Sequence, residues 1–135
     1  MMKKYLATLL LTIGLVSLAM VGFSSKKATF YETITLARLE KKLSSEAVVN
    51  VYVYSETCTR CRYLKEKLKV GQLKSKIYGL NLSQETDRQF LKNYQIVATP
   101  LLLKLSKGGA VLERNDQVVS EQDVIAFFDA SFTVK

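Results

Sequence analysis

The sequence predicts an α/β domain, a central mixed sheet flanked by helices, set behind an apolar N-terminal segment. Three observations carry this prediction. Runs of β-branched and aromatic residues alternate with runs whose apolar positions recur at helical spacing. A basic start, Met1-Met2-Lys3-Lys4, precedes an uncharged run of 21 residues at positions 5–25. The whole chain has 135 residues, room for one compact domain behind such a leader.

Taken in order, residues 29–34 are short and β-leaning, and Thr35 can cap a helix with Leu36, Leu39 and Leu43 on its inner face. Residues 47–54, Ala-Val-Val-Asn-Val-Tyr-Val-Tyr, suit a central strand. After Ser55-Glu56-Thr57 a helix is expected from Cys58 to about Val70, with Cys61, Leu64 and Leu68 inside and Gly71 as its stop. Residues 77–82 read as a strand, and Ser83 as the cap of a helix carrying Phe90, Leu91 and Tyr94. Residues 101–105 and 110–112 flank Lys107-Gly108-Gly109, a hairpin signal. Ser120 with Asp123 approximates a capping box for a last helix that buries Val124, Ile125, Phe127 and Phe128. The order is βαβαβαββα, with no internal repeat and no boundary other than that between residues 1–25 and a domain over 28–135.

The leader is long for a signal h-region and reaches the roughly 20 residues that span a bilayer core. An uncleaved anchor is the favoured reading. Cleavage after Ser17-x-Ala19 or Gly22-x-Ser24 is the alternative, which would make the protein secreted. Lys3, Lys4 and the α-amino group on one side, against Lys26 and Lys27 with Glu32 close behind on the other, favour an inside N-terminus slightly, and the very short N-terminal tail adds weight to an extracytoplasmic domain. The expected location is therefore the cell membrane, with a single pass.

Composition narrows the chemistry. The formal charge is +8, but residues 26–135 hold 18 basic and 12 acidic side chains, mostly scattered. The exception is Arg60, Arg62, Lys65, Lys67 and Lys69, more simply a solvated helix face than a nucleic-acid site, which needs base-stacking aromatics or a known motif. No nucleic-acid partner is expected. The absence of histidine removes Ser-His-Asp triads, Cys-His pairs and imidazole acid–base work. Two cysteines fall short of the four ligands of a structural zinc site, and no metal or dissociable cofactor is expected.

Cys58 and Cys61 therefore carry the chemistry. A helix start leaves backbone N–H groups unpaired and carries partial positive charge. A Cys58 thiolate gains from both, and from Arg60 and Arg62 nearby. It is thereby more nucleophilic at neutral pH and a better leaving group. Cys58 should attack or be attacked, and Cys61, one turn on, should resolve. Stabilising the thiolate stabilises the reduced form, so a comparatively oxidising dithiol is expected. A bridge between them closes too small a loop to add much stability.

Three segments in register resemble the thioredoxin superfamily over roughly residues 28–131. They are the strand at 48–54 running into Cys58-Thr59-Arg60-Cys61, then Gly79-Leu80-Asn81-Leu82-Ser83, then Tyr94-Gln95-Ile96-Val97-Ala98-Thr99-Pro100-Leu101-Leu102-Leu103. Pro100 is the only proline and lies 39 residues after Cys61. By its context it opens a strand, where a residue without an N–H belongs. The resemblance implies a cis Thr99–Pro100 bond beside the cysteines, leaving the Thr99 backbone to pair with a substrate peptide. It also implies a thioredoxin fold and thiol–disulfide exchange.

Departures from the family pattern are informative. Thr57 stands where thioredoxins carry tryptophan, and Thr59-Arg60 replaces Gly-Pro. The buried acid that assists proton transfer in thioredoxins aligns with Tyr52, and its lysine partner with Gly79. A general cytosolic reductant therefore fits poorly. Thr99 before the proline is more like isomerases and oxidases of oxidising compartments. Small exported or tethered proteins of Gram-positive bacteria, including bacteriocin-transport accessory proteins, are similar. The expected function is thiol–disulfide exchange with exported proteins by a monomer, its partners being a cysteine-containing protein substrate and a redox partner protein. The direction of electron flow stays open among oxidase, reductase and isomerase. The rival is a membrane-tethered accessory or binding module of an export system with secondary redox activity. Tyr52, Tyr54 and Phe90 read as packing residues. Glu56 reads as a solvated loop acid, with tuning of Cys58 as the alternative. Lys104 and Lys107 are expected on the solvent side, blunting an edge.

Overall fold

A computed structural model of the chain describes Tyr5, residues 27–85 and residues 87–130. The expected leader at 1–25 lies, Tyr5 apart, outside the described residues. Among those, no helix is long and apolar enough to cross a membrane. The elements are β1 (Glu32–Ile34), α1 (Leu36–Ser45), β2 (Val48–Tyr54), α2 (Thr59–Lys67), β3 (Ile77–Asn81), α3 (Arg88–Asn93), β4 (Leu101–Ser106), β5 (Val111–Asn115) and α4 (Glu121–Asp129).

The expected order βαβαβαββα is therefore found. The strands form one mixed sheet in the order β1-β3-β2-β4-β5, with β1, β3 and β2 parallel and β4 and β5 antiparallel. β2 is central, as its composition predicts. Strand periodicity splits its side chains between two cores. Val49, Val51 and Val53 join Leu39, Leu43, Leu80, Leu101 and Leu103 on one face. Tyr52 joins Tyr31, Leu64, Leu102, Val124 and Phe128 on the other. Helices thus cover both faces, α1 and α3 on the first, α2 and α4 on the second.

Several local expectations are corrected. α2 ends at Lys67 rather than near Val70, and Gly71 sits in the following turn with φ +89°. Leu68 leaves the helix with extended backbone and is 2% exposed, its side chain part of the second core. The Gln72 side chain accepts the Lys69 N–H at 2.7 Å and closes that turn. Ser83 does not cap α3. Asp87 does, accepting the Phe90 N–H at 2.8 Å, and the helix is six residues long. Ser83 is occupied elsewhere, its hydroxyl accepting from the Glu56 N–H at 2.9 Å. At α4 the expected pairing is present, with Asp123 accepting the Ser120 and Val119 N–H groups at 2.8 Å each. Of its four expected inner residues, Val124 and Phe128 are buried, while Ile125 and Phe127 are partly so.

Lys104 is not on the solvent side. It is 3% exposed, because β4 lies between β2 and β5 and both its faces are covered. Its ammonium is 3.0 Å from Glu113, its cross-strand neighbour, and 5.3 Å from the centre of the Phe127 ring. A buried ammonium requires such a partner. Lys107, in the hairpin turn, is exposed as expected.

Candidate active site

The C-terminal end of β2 delivers the chain through residues 55–57 to the start of α2. Cys58 is the N-cap residue, with extended backbone, and its sulfur accepts the Cys61 N–H at 3.1 Å. An N-cap side chain ordinarily satisfies one of the orphan amides of the first turn. Here a sulfur does so, and the same N–H favours negative charge on that atom once the pair is reduced. The two cysteines are joined as a disulfide, their Cα atoms 5.2 Å apart. Cys58 is half-buried while Cys61 is 4% exposed, so the outer sulfur is the one a partner reaches first.

The Thr99–Pro100 peptide is cis, as the resemblance implied. Pro100 is buried, and the Thr99 carbonyl oxygen lies 3.6 Å from the Cys58 sulfur. Ser55 links the two loops, its hydroxyl 3.5 Å from that of Thr99 and 3.4 Å from that of Thr57. Val97, three residues before the proline, is an apolar side chain 92% exposed.

Thr59 and Arg60 open α2 and face outward. Arg60 has a more specific role than its charge suggested, as Nη1 donates to the Val118 carbonyl oxygen at 3.2 Å. This ties the start of α2 to the segment before α4. Thr59, Arg60, Tyr63 and Val119 line a shallow groove of about 370 Å³ beside the cysteines. At its far side the Tyr63 hydroxyl donates to Glu121 at 3.2 Å, and that carboxylate holds the phenol above its usual titration range.

All six expected residues, Cys58, Thr59, Arg60, Cys61, Thr99 and Pro100, thus lie around one end of the sheet. Four further groups escaped the sequence reading. Asn81, 4% exposed at the end of β3, donates through Nδ2 to Glu56 at 3.0 Å and accepts the Ser83 N–H at 2.9 Å. With the Glu56 N–H on Ser83, these bonds clamp the loop before Cys58 onto the end of β3. A polar residue closing an otherwise apolar strand was the available signal for Asn81; nothing local marks Ser83 or Ser55. The fourth is Tyr31, whose ring packs against Tyr52 and Tyr54 at 5.2 and 4.8 Å between centroids.

Behind Cys61, therefore, lies an aromatic layer. Tyr52 is fully buried, and its hydroxyl has no hydrogen-bond partner among the described residues. Burial pushes the Tyr31 and Tyr52 phenols well above the ordinary tyrosine range, so both stay protonated at neutral pH. Tyr31, Tyr54, Glu56, Cys61, Arg62 and Lys65 surround a hollow of about 200 Å³. Among the described residues no group of three or more His, Cys, Asp or Glu side chains converges as metal ligands do.

No protein-family model matches the chain. Solved structures do. The chain is similar to the J-Trx1 fragment of ERdj5 at 21% identity and a TM-score of 0.54, over 72% of this chain and 49% of that one, about half its length. It is similar to a point mutant of thioredoxin from Halobacterium salinarum at 16% identity and a TM-score of 0.52, over 78% of this chain and 98% of that one. A third match comes from a structure on the thiol resolving mechanism in yeast mitochondrial 1-Cys peroxiredoxin via glutathione/thioredoxin systems. There the identity is 9% and the TM-score 0.54, over 76% and 98% of the two chains. With the strand order and the cis-proline loop, these likenesses settle the architecture: the described domain has the thioredoxin fold, with a Cys58–Cys61 pair at the start of α2.

Proposed function

We propose that the protein is a thiol–disulfide oxidoreductase that exchanges disulfides with a protein substrate through Cys58 and Cys61. The observation that carries this is the Cys58 sulfur itself. It is the more accessible of the pair, it accepts the Cys61 N–H, and it faces the Thr99 carbonyl beside a cis-proline. In the reducing direction the Cys58 thiolate attacks a substrate disulfide. One substrate sulfur leaves as thiolate and a mixed disulfide forms on Cys58. Cys61 then attacks the Cys58 sulfur, expels the second substrate thiolate and closes the intramolecular bond. Two electrons pass from the cysteine pair to the substrate, and the oxidising direction is the same sequence reversed.

The apolar run at 5–25 supports an extracytoplasmic setting, with exported proteins as substrates and a separate protein restoring the redox state. Turnover of the full chain on a disulfide-bonded protein such as insulin, with a dithiol as the electron source, tests the reading. Cys58→Ser is expected to abolish turnover and Cys61→Ser to accumulate a covalent mixed disulfide with substrate. Biological activity retained in full by Cys58→Ser would refute it and favour the accessory-module reading. Equilibration with glutathione is expected to give a potential above thioredoxin's, about −270 mV.

A further inference from the structure

Cys61 is 4% exposed, yet it must lose a proton before its sulfur can attack Cys58. The strand beneath supplies no base. Tyr52 presents a phenol held protonated by burial, and Gly79, paired beside it on β3, has no side chain. The hollow of about 200 Å³ on which Cys61 opens holds one carboxylate, that of Glu56, and has room for several water molecules. Glu56 is exposed, the solvated loop acid the sequence suggested, but it is also held in place. Its backbone is held by Ser83 at 2.9 Å and its Oε1 by the buried Asn81 at 3.0 Å. Asn81 is itself fixed by the Ser83 N–H at 2.9 Å. Three bonds thus orient a carboxylate on the wall that Cys61 shares.

We propose that Glu56 accepts the Cys61 proton, through water in this hollow, as Cys61 resolves a mixed disulfide on Cys58. This rests on the exchange chemistry proposed above. The bond between the two cysteine sulfurs forms, the bond from Cys58 to the substrate sulfur breaks, and the substrate leaves as thiolate. The proton held on Glu56 then passes to that thiolate or to bulk water. In the reverse direction protonated Glu56 returns it to Cys61. The other titratable and charged groups around the hollow are Tyr31 before β1, Tyr54 at the end of β2, and Arg62 and Lys65 on α2. Cys58 precedes α2, and Tyr52 lies beneath in the aromatic layer. β3 contributes the neutral Asn81.

The test is single-turnover reaction of the reduced full-length chain with one equivalent of dithiobis-nitrobenzoate, followed from about pH 5 to pH 9. The first thionitrobenzoate released reports attack by Cys58 and the second reports resolution by Cys61. Glu56→Gln is expected to leave the first release unchanged and to slow the second by about a hundredfold or more at neutral pH, the low end of general-base effects. The wild-type second rate should be nearly flat through the neutral range. That of Glu56→Gln should climb about tenfold per pH unit through the neutral range, as the thiol ionises unaided. Glu56→Asp should keep the flat profile. Superimposable second-release profiles for Glu56→Gln and wild type overturn the proposal. So does equal slowing of both releases, which would place the effect on Cys58, and so does loss of the flat profile in Tyr54→Phe but not in Glu56→Gln. Failure of the first release in the wild-type chain overturns the exchange chemistry as well, so the two failures are distinguishable.

Discussion

Replacing Gly79 by alanine probes the aromatic layer behind the cysteines. Gly79 lies at the middle of β3, between Thr33 of β1 and Tyr52 of β2. A Cβ there would fall closer than 3.0 Å to three carbons of the Tyr31 ring. The ring cannot easily give way. Tyr31 is 6% exposed and packs against Phe30, Tyr52 and Tyr54 at centroid distances of 4.8, 5.2 and 4.8 Å. Overpacking of this kind costs about 1–3 kcal/mol. Against it stands about 0.5–1 kcal/mol gained by removing glycine from a strand. The net expectation is a destabilisation of about 1–2 kcal/mol. With a urea slope of about 1–1.5 kcal/mol per molar for a domain of this size, the midpoint should fall by about 1 M. Equilibrium urea unfolding followed by tyrosine fluorescence measures this. Tyr31→Ala alone should cost about 3 kcal/mol or more. Adding Gly79→Ala to it should cost nothing or recover part of the loss, a coupling of about 1–3 kcal/mol. A midpoint raised by Gly79→Ala alone, or an undiminished cost in the Tyr31→Ala background, would refute the reasoning.

Three further outcomes follow from the same geometry. Asp87→Ala removes the cap of α3 and should destabilise by about 1 kcal/mol in urea unfolding, whereas Ser83→Ala should leave α3 intact and instead speed amide exchange at Glu56, whose N–H it holds at 2.9 Å. Glu113→Ala removes the cross-strand carboxylate beside the buried Lys104 and should cost about 1–3 kcal/mol at neutral pH, below the full cost of breaking a buried pair because Glu113 is half-exposed. Backbone N–H groups of Val119 and Ser120 hold the Asp123 carboxyl below its ordinary range; burial pushes Asp129 up, but the Lys74 and Ser75 N–H groups outweigh it and its net shift is also downward. Folded values below unfolded ones mean stability present above about pH 4 and lost as pH falls through the folded values; urea midpoints measured toward pH 2 should show that loss, less steeply in Asp129→Asn.

Much of the site was legible because its chemistry is local. A C-x-x-C after a β-rich run sets both cysteines at a helix start, one turn apart, whatever surrounds them. A lone proline before an apolar run marks β4, and Thr99 and Pro100 arrive beside Cys58 as the resemblance implied. Glu56 was less legible. Its partners Asn81 and Ser83 are 25 and 27 residues away, and no periodicity reports a contact between the ends of β2 and β3. The Ser83 cap failed for the same reason. The hydroxyl suits a helix cap locally, but a long-range N–H claimed it first.

By itself, then, the sequence determined the order of elements, the central place of β2 and the reactive pair. These follow from side-chain periods of 2.0 and 3.6 and from backbone amides left open at a helix start. The tertiary structure alone decided that Lys104 is buried against Glu113, that Tyr31 fills the space over Gly79, and that a clamped carboxylate shares a hollow with Cys61. Each of these depends on which strand lies beside which. That is set by the packing of the whole sheet between two layers of helices, and no window of neighbouring residues contains it.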